Sequence, residues 1–337
     1  DLGRGRLQPR YAADQRSDLA GLRPDRSVFA GKRYTKLALV ETARGCRHAC
    51  DFCSISSFFE RSYAARPIHD VVEEVSRLPH RNIFFIDDHI AVDPVRAKAL
   101  FRALIPLRIR WAGQVGISVV QDDELLQLMR ASGCVGVLIG FESLNPAVLT
   151  AMHKHANSAE GDYGPALRRL RGHGIAVYGT FVFGYDGDTE ESFAETLEFA
   201  LHHRLFFAAF NHLVPFPGTP VYRRLREEGR LLHDAWWLSP SCRFGDVVFR
   251  PKNMSAERLA ALCHEYRHRF YSLPSVLRRG LDVKANCRTP TMALIYAAQN
   301  LRSGAEVDRR QGLPLGAGGT DVELSPLQPS VEGADRP

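Results

Sequence analysis

The chain has 337 residues, 45% of them hydrophobic, enough to bury a sizeable core in one large domain or two smaller ones. Its net charge of +6 is a modest excess spread along the chain and does not by itself point to nucleic acid. No apolar run long enough for a transmembrane helix and no secretory leader is legible, and seven cysteines are too sparse, and odd in number, for a disulfide framework; a reduced cytoplasmic protein is expected.

Residues 1–35 are rich in Arg, Pro and Gly and lack periodicity, so they read as a linker or wrapping arm. The chain opens on Asp1 and its first methionine is Met129, so it is expected to begin inside a longer protein. From Lys36 the pattern alternates between strand and helix signals. Residues 36–42 (KLALVET) predict a buried strand, and 67–77 a helix opened by Pro67, with Ile68, Val71, Val72 and Val75 on one face. Strands follow over 82–87 (NIFFID), 109–115, 134–141 (CVGVLIGF), 175–183 and 207–214. Between them, Asp93-Pro94, Asp122-Asp123 and Asn145-Pro146 read as helix caps and openers. Another helix is expected over 164–172, and Asp188, three residues before Glu191, is expected to cap the next.

Six strand–helix units in strict alternation predict a parallel sheet, and right-handed crossovers would roll it into a partial barrel. A doubly wound open sheet is the alternative, but no G-x-G-x-x-G follows any strand. A barrel collects its chemistry at the carboxyl ends of its strands. The ends here carry Cys46, Cys50 and Cys53, then Asp87-Asp88, Gln114, Glu142-Ser143, residues 185–188 (YDGD) and a proline-rich turn at 215–220 (PFPGTP).

The cysteines stand in Arg44-Gly45-Cys46-Arg47-His48-Ala49-Cys50-Asp51-Phe52-Cys53. Three thiolates that close suit one soft metal centre. On spacing alone a zinc knuckle with His48, or a ferredoxin-like site with a distant fourth cysteine, stays open.

The C-x3-C-x2-C spacing, with an aromatic just before the last cysteine, resembles the radical S-adenosylmethionine (SAM) superfamily. The resemblance runs from about Lys36 to Leu231 and includes 179–189 (GTFVFGYDGDT) and PFPGTP. It implies an α/β fold, a partial (β/α)6 TIM-like barrel with a small, mainly α C-terminal region. It implies a 4Fe-4S cluster on Cys46, Cys50 and Cys53 whose open iron binds SAM, and reductive cleavage of SAM to a 5′-deoxyadenosyl radical. Phe52 would then lie against adenine, and Asp87 or Asp88 would take the SAM amino group. Asp-Asp departs from the commoner Gly-Gly-Glu of that position, which leaves open which of the two does so. Glu142 and Ser143 would hold ribose or methionine groups, Gln114 the methionine carboxylate, and Phe183 would belong to the fifth-strand motif near adenine, whose glycines would admit the ligand closely.

Beyond Leu231 the barrel pattern stops. Trp236, Trp237, Phe244 and Phe249 form an aromatic group read as core packing, with capping of the barrel mouth as the other reading. Ser255 is expected to cap a helix through Tyr271, and a short helix is expected over 292–301. His212 is read as a hydrogen-bonded core residue and Cys134 as a packed thiol; Cys242 and Cys263 are left as candidates for a methyl-accepting or hydrogen-donating role.

The C-terminal part resembles cobalamin-dependent radical SAM proteins such as hopanoid methylases. Cobalamin would be held by a domain upstream of this chain. The expected organisation is a remnant linker over 1–35, a radical SAM core over 36–231, an accessory domain over 232–302 and a disordered tail over 303–337. The implied function is methylation of an unactivated carbon in a small or lipid-like substrate, with a reductant such as flavodoxin or ferredoxin as partner. An RNA methylthiotransferase and a non-enzymatic iron–sulfur or zinc module are the alternatives, and nucleic acid ranks below a small molecule.

Overall fold

A computed structural model describes Gly5 and residues 18–154, 162–309 and 311–315. The expected tail beyond 315, and most of the linker stretch 4–11, lie outside the described residues. Six parallel strands make the main sheet: β1 (Ala38–Val40), β4 (Asn82–Phe85), β5 (Arg110–Val115), β6 (Cys134–Glu142), β7 (Ala176–Phe183) and β8 (Phe207–His212). Their order in the sheet is their order in the chain, and each pairs in parallel with the next. That is the expected partial barrel. A short antiparallel pair, β2 (Ala43–Arg44) and β3 (Ala64–Ala65), frames the cysteine loop.

Alternation along the strands separates two faces. On the outer face Val40, Phe85, Val115, Ile139, Phe141, Phe181 and Phe210 are buried beneath the helices. Those helices are α2 (Ile68–Ser76), α3 (Pro94–Leu104), α4 (Asp123–Ala131), α5 (Pro146–Ala151), α6 (Tyr163–Gly172) and α7 (Glu190–His202). Asp93, Asp122 and Asn145 cap as expected, each side chain accepting an amide from the first turn. Trp111 stacks on Phe101 of α3 at 5.1 Å and donates its indole N–H to Ser132 Oγ at 3.1 Å, so its bulk is buried without an orphaned donor. The inner face is less filled: Leu39 is 52% and Ile86 48% exposed. At the amino ends of the strands it opens into a cavity of about 530 Å³, lined by Leu37, Phe84, Trp111, Leu138, Tyr178 and Phe207 among others.

Residues 18–35 wrap onto α2. Leu19 is buried, the Gly21 amide donates to Asp70 at 2.8 Å, Arg23 pairs with Glu73, and Arg26 pairs with the buried Glu74 at 2.6 Å. Of the two readings of this stretch, the described part takes the wrapping arm.

After α8 (Pro220–Glu227), the C-terminal layer is α9 (Ala256–Tyr271), α10 (Leu273–Gly280) and α11 (Pro290–Glu306). Leu259, Leu262, Tyr266 and Phe270 press α9 into the main core. The helix expected over 292–301 is longer: Thr289 caps it, buried Tyr296 and Asn300 anchor it, and it runs past Ser303, where the tail was expected to start. Cys134 and Cys263 are both fully packed. Burial pushes the Cys263 thiol up to about 12, as for a packed core thiol. Cys242 packs with Trp236 and Val248, also out of solvent. Of the aromatic group, Phe249 is in the main core and Trp236 donates to the Pro215 carbonyl at 3.0 Å, while Trp237 and Phe244 stay exposed.

Candidate active site

The cysteine loop leaves β2 and ends at α1 (Ser54–Phe58), and four separate parts of the chain hold it. Gly45, at φ +83°, enters it; a Cβ there would strike the Ser62 carbonyl, so only glycine fits. The Gly45 amide donates to Asp88 Oδ2 at 2.9 Å. The Asp51 amide donates to the Met152 carbonyl at 3.1 Å, and the Asp51 carbonyl accepts from the Val221 amide at 3.2 Å. Asp51 Oδ1 accepts from the Tyr185 hydroxyl at 2.6 Å. The segments after β4 and β7, the end of α5 and the start of α8 therefore converge on one loop through hydrogen bonds.

Cys46, Cys50 and Cys53 are free thiols, the first two buried and the third half-buried. Burial pushes Cys46 above its ordinary value, against a hydrogen bond from the His48 amide. Burial pushes Cys50 up to about 11, opposed by the charge of Lys154. The sulfurs sit close enough that ionising Cys53 further raises both others. Such a group is comfortable as neutral thiols, or as thiolates once a metal takes up the charge, and metal entry would release protons. A three-thiolate donor set of this kind fits an iron–sulfur cluster with one iron left without a protein ligand.

The two aspartates after β4 have different surroundings. Asp87 is buried, and its carboxylate accepts from the Thr42 amide at 2.6 Å and the Thr42 hydroxyl at 2.5 Å. Burial raises it to about 6. Both its oxygens are engaged in tying β4 to the end of β1. Asp88 is half-buried, its Oδ2 holds the cysteine loop, and its other oxygen has no partner among the described residues. His89, in the loop after β4, is buried: the Gly116 amide donates to its Nε2 at 2.9 Å, and burial lowers it to about 4.

Gln114 lies exposed on the inner face near the end of β5. Glu142 ends β6 at φ +64°, just after a register irregularity against β7. Its side chain folds back over Gly140, where a Cβ would strike the carboxylate, and meets Lys154 Nζ at 2.9 Å. Burial alone would lower the Lys154 ammonium, but Glu142 and the nearby Cys50 and Cys53 outweigh it and keep it charged. Ser143 is buried and accepts the Asn145 amide at 3.1 Å, which shapes the turn into α5.

Two expectations for the fifth-strand motif are corrected. Phe183 points outward into the core, stacked on Phe193 at 3.9 Å, because it shares the parity of Val177 and Phe181. Two of the motif's glycines are required by packing as well: a Cβ on Gly179 would crowd Leu205 and Phe141, and one on Gly184 would crowd Leu259 and Phe249. Asp188 does not cap α7 either. Its Oδ2 accepts the Gly184 and Tyr185 amides, each at 2.9 Å, while Thr189 and Ser192 form the capping box. His212 is half-buried against the Leu213 carbonyl, consistent with a core histidine.

The rim thus gathers the three cysteines, Phe52, Asp88, Gln114, Glu142 and Ser143, and turns Phe183 away. Sequence reading missed Lys154 and the Asp51–Tyr185 pair. No spacing signal marks Lys154; a carboxylate inside the cysteine motif was the available hint for Asp51.

Residues 40–200 match the profile described as the Radical SAM superfamily. The chain is 30% identical over 290 residues to the bacteriochlorophyllide d C-12(1)-methyltransferase of Chlorobaculum tepidum, covering 83% of this chain and 62% of that protein. It is 27% identical over 216 residues to the hopanoid C-2 methylase of Rhodopseudomonas palustris, covering 59% and 39%. The chain therefore spans less than two thirds of these relatives. Among solved structures it is similar to the methyltransferase TsrM of Kitasatospora setae with cobalamin and a [4Fe-4S] cluster bound, with a TM-score of 0.53 and 22% identity over 82% of this chain and 54% of that one. It is also similar to OxsB with aqua-cobalamin and S-adenosylmethionine bound, with a TM-score of 0.52 and 15% identity over 79% and 46%. At these identities the two structures speak for the fold.

Proposed function

With residues 40–200 a radical SAM domain, we propose that the chain is the catalytic part of a methyltransferase acting on an unactivated carbon of an apolar small molecule. The carrying observation is the loop of three free thiols, held from four directions beside a half-buried cation. When bound, the cluster and SAM supply a 5′-deoxyadenosyl radical and cobalamin a transferable methyl group.

The chain's own residues bind, orient and exclude water. Cys46, Cys50 and Cys53 hold the cluster. Lys154 offsets the negative charge that three thiolates bring, and Glu142 keeps Lys154 in position. Asp88 takes the SAM amino group, since it stands beside the cysteine loop with one oxygen still open and Asp87 is spoken for by Thr42. Phe52 packs between the loop and the core, where it supports adenine. Gln114, on the inner face, is left for the methionine carboxylate, and Ser143 with Glu142 for ribose.

The substrate reading rests on the inner face, where Leu39 and Ile86 are exposed and an apolar cavity opens at the amino ends of the strands. The names of two relatives, a bacteriochlorophyllide and a hopanoid enzyme, fit a bulky carbon skeleton there. Cobalamin is supported by TsrM and OxsB, both of which hold it, and would be carried by a part of the protein outside these residues. A low-potential donor of the flavodoxin or ferredoxin kind would deliver the electron.

Anaerobic reconstitution should give a 4Fe-4S spectrum and reductant-dependent 5′-deoxyadenosine. Each of Cys46→Ala, Cys50→Ala and Cys53→Ala should abolish both; full SAM cleavage by any of them refutes the ligand assignment. Asp88→Asn should retain iron and raise the SAM KM, whereas Asp87→Asn should act on stability.

A further inference from the structure

The C-terminal layer carries a second group of ligating side chains. His264 and His268 are one turn apart on the exposed side of α9, with ring centroids 4.6 Å apart. Asp308, just beyond α11, reaches between them: its Oδ1 lies 2.7 Å from His264 Nε2 and 2.8 Å from His268 Nε2. Hydrogen bonds from both imidazoles hold the carboxyl below its usual range, so it is an acceptor and each ring donates from Nε2. All three ligand atoms lie within 4.8 Å of one another. Two imidazoles and a carboxylate aimed at one point suit a first-row divalent ion.

We propose that His264, His268 and Asp308 bind one zinc-class divalent ion that ties α11 to α9. In a tetrahedral site with metal–ligand bonds of about 2.0–2.1 Å, neighbouring ligand atoms are about 3.3 Å apart. Entry therefore asks the carboxylate to withdraw by about half an ångström, and Asp308 is 65% exposed and free to do so. Each imidazole then turns an unprotonated Nε2 to the metal, and the displaced protons go to Nδ1 or to solvent. The stretch reads His-Glu-x-x-His, the helical spacing that places two imidazoles on one metal. Glu265, the position that acts as a base in metalloproteases with this spacing, instead pairs with Arg269 at 3.6 Å and is outside the converging set. The role assigned to the ion is the tie between the two helices.

Its consequence follows from α11. Thr291, Met292, Ile295 and Gln299 of this helix wall the apolar cavity at the amino ends of the strands. Pinning the far end of α11 holds that wall in place. Beyond Asp308 the chain returns to the loop after Trp236, where the Phe244 amide donates to the Leu313 carbonyl at 2.7 Å. The ion would secure that return as well.

The test uses the chain with its cluster reconstituted, so that the thiols are occupied. Dialysis against zinc sulfate, then against metal-free buffer, should leave one zinc per chain beside an unchanged iron content. X-ray absorption at the zinc edge should show two imidazoles and no sulfur. His264→Asn, His268→Asn and Asp308→Asn should each lose the zinc while keeping their iron and circular dichroism, which separates loss of the site from misfolding. Zinc should also slow amide exchange in α11 of the native chain and not in the variants. No retained zinc, retention in all three variants, or sulfur ligation would overturn the site; retained zinc with unchanged exchange would overturn the tie.

Discussion

The C-terminal helical layer and the carboxyl rim of the sheet both bury charge, and they satisfy it in opposite ways. In the layer, Arg279 is wholly buried and pairs with no carboxylate among the described residues. Its guanidinium instead donates to the carbonyls of Leu205, Phe206 and Phe270, to Ser275 Oγ and to Asn300 Oδ1, and lies 3.8 Å over the Phe270 ring. Burial lowers it to about 10, so it remains a cation at neutral pH. Its partners come from α9, α10 and α11 and from the start of β8, so one side chain locks the layer together. On the rim, by contrast, Glu142 meets Lys154, Asp51 meets Tyr185, and Asp88 holds the loop with one oxygen and leaves the other open. A fully satisfied group holds a fold; a half-satisfied one is available to a ligand.

The sharpest way to break this contrast is Arg279→Met. The variant nearly keeps the volume and leaves the Leu205 and Phe206 carbonyls and Asn300 Oδ1 without that donor, while the Phe270 carbonyl keeps the Ser275 hydroxyl. The expected loss is about 3 kcal/mol or more, at roughly 1–3 kcal/mol per stranded buried group. Urea unfolding measures it. Iron bound per folded molecule should not change, because Arg279 touches nothing in the cysteine loop. A variant that kept its stability and lost its iron would reverse the roles given to the two regions.

Lys154→Met tests the rim. It strands Glu142 and removes the cation nearest Cys50 and Cys53. A unit charge lost beside the sulfurs changes electron affinity by about 1–2 kcal/mol at a protein-like dielectric, on the order of 50–100 mV for one electron. The reconstituted cluster should therefore become harder to reduce by that amount, with Lys154→Arg restoring most of the potential. An unchanged potential would detach Lys154 from the cluster site and leave it a partner of Glu142 alone.

How far such roles could be read beforehand depended on whether the physics was local. Asp93, Asp122, Asn145 and Ser255 cap helices because a short acceptor and the first turn meet within three residues. The strand order followed from alternation, and the cysteine triplet from spacing. Asp188 looked like another cap, but its carboxylate turned back to Gly184 and Tyr185, amides that the strand-to-helix turn leaves unpaired. Phe183 was misjudged although the signal existed: counting by twos from Val177 puts it on the outer face. Lys154 had no signal, since only the fold of the Glu142 side chain back over Gly140 brings its carboxylate to it. Nor could sequence distinguish Asp87 from Asp88, whose difference is made by Thr42, 45 residues away.

Asp188 supplies the smallest test and the finest one, because it is a rim carboxylate satisfied in the manner of the layer, by backbone alone. Burial raises it to about 6 in the folded chain, from an ordinary 3.8. Below the lower value both states are protonated and it contributes no pH dependence. Between about 4 and 6 the folded state keeps a proton that the unfolded chain has lost, so its contribution to stability falls as pH rises, and it levels off above 6. Asn at this position can accept both amides through one oxygen and does not ionise. Asp87 titrates over the same window and in the same sense, while His89, lowered to about 4, binds fewer protons when folded and acts in the opposite sense. The quantity to measure is therefore the difference between the native chain and Asp188→Asn, by urea unfolding of the metal-free forms at pH 4 and pH 7. The variant should gain on the order of 2 kcal/mol relative to the native chain between those two points. No gain would mean that the two amides hold the carboxylate ionised despite its burial, and that backbone donors alone can offset the cost of a buried charge on this rim.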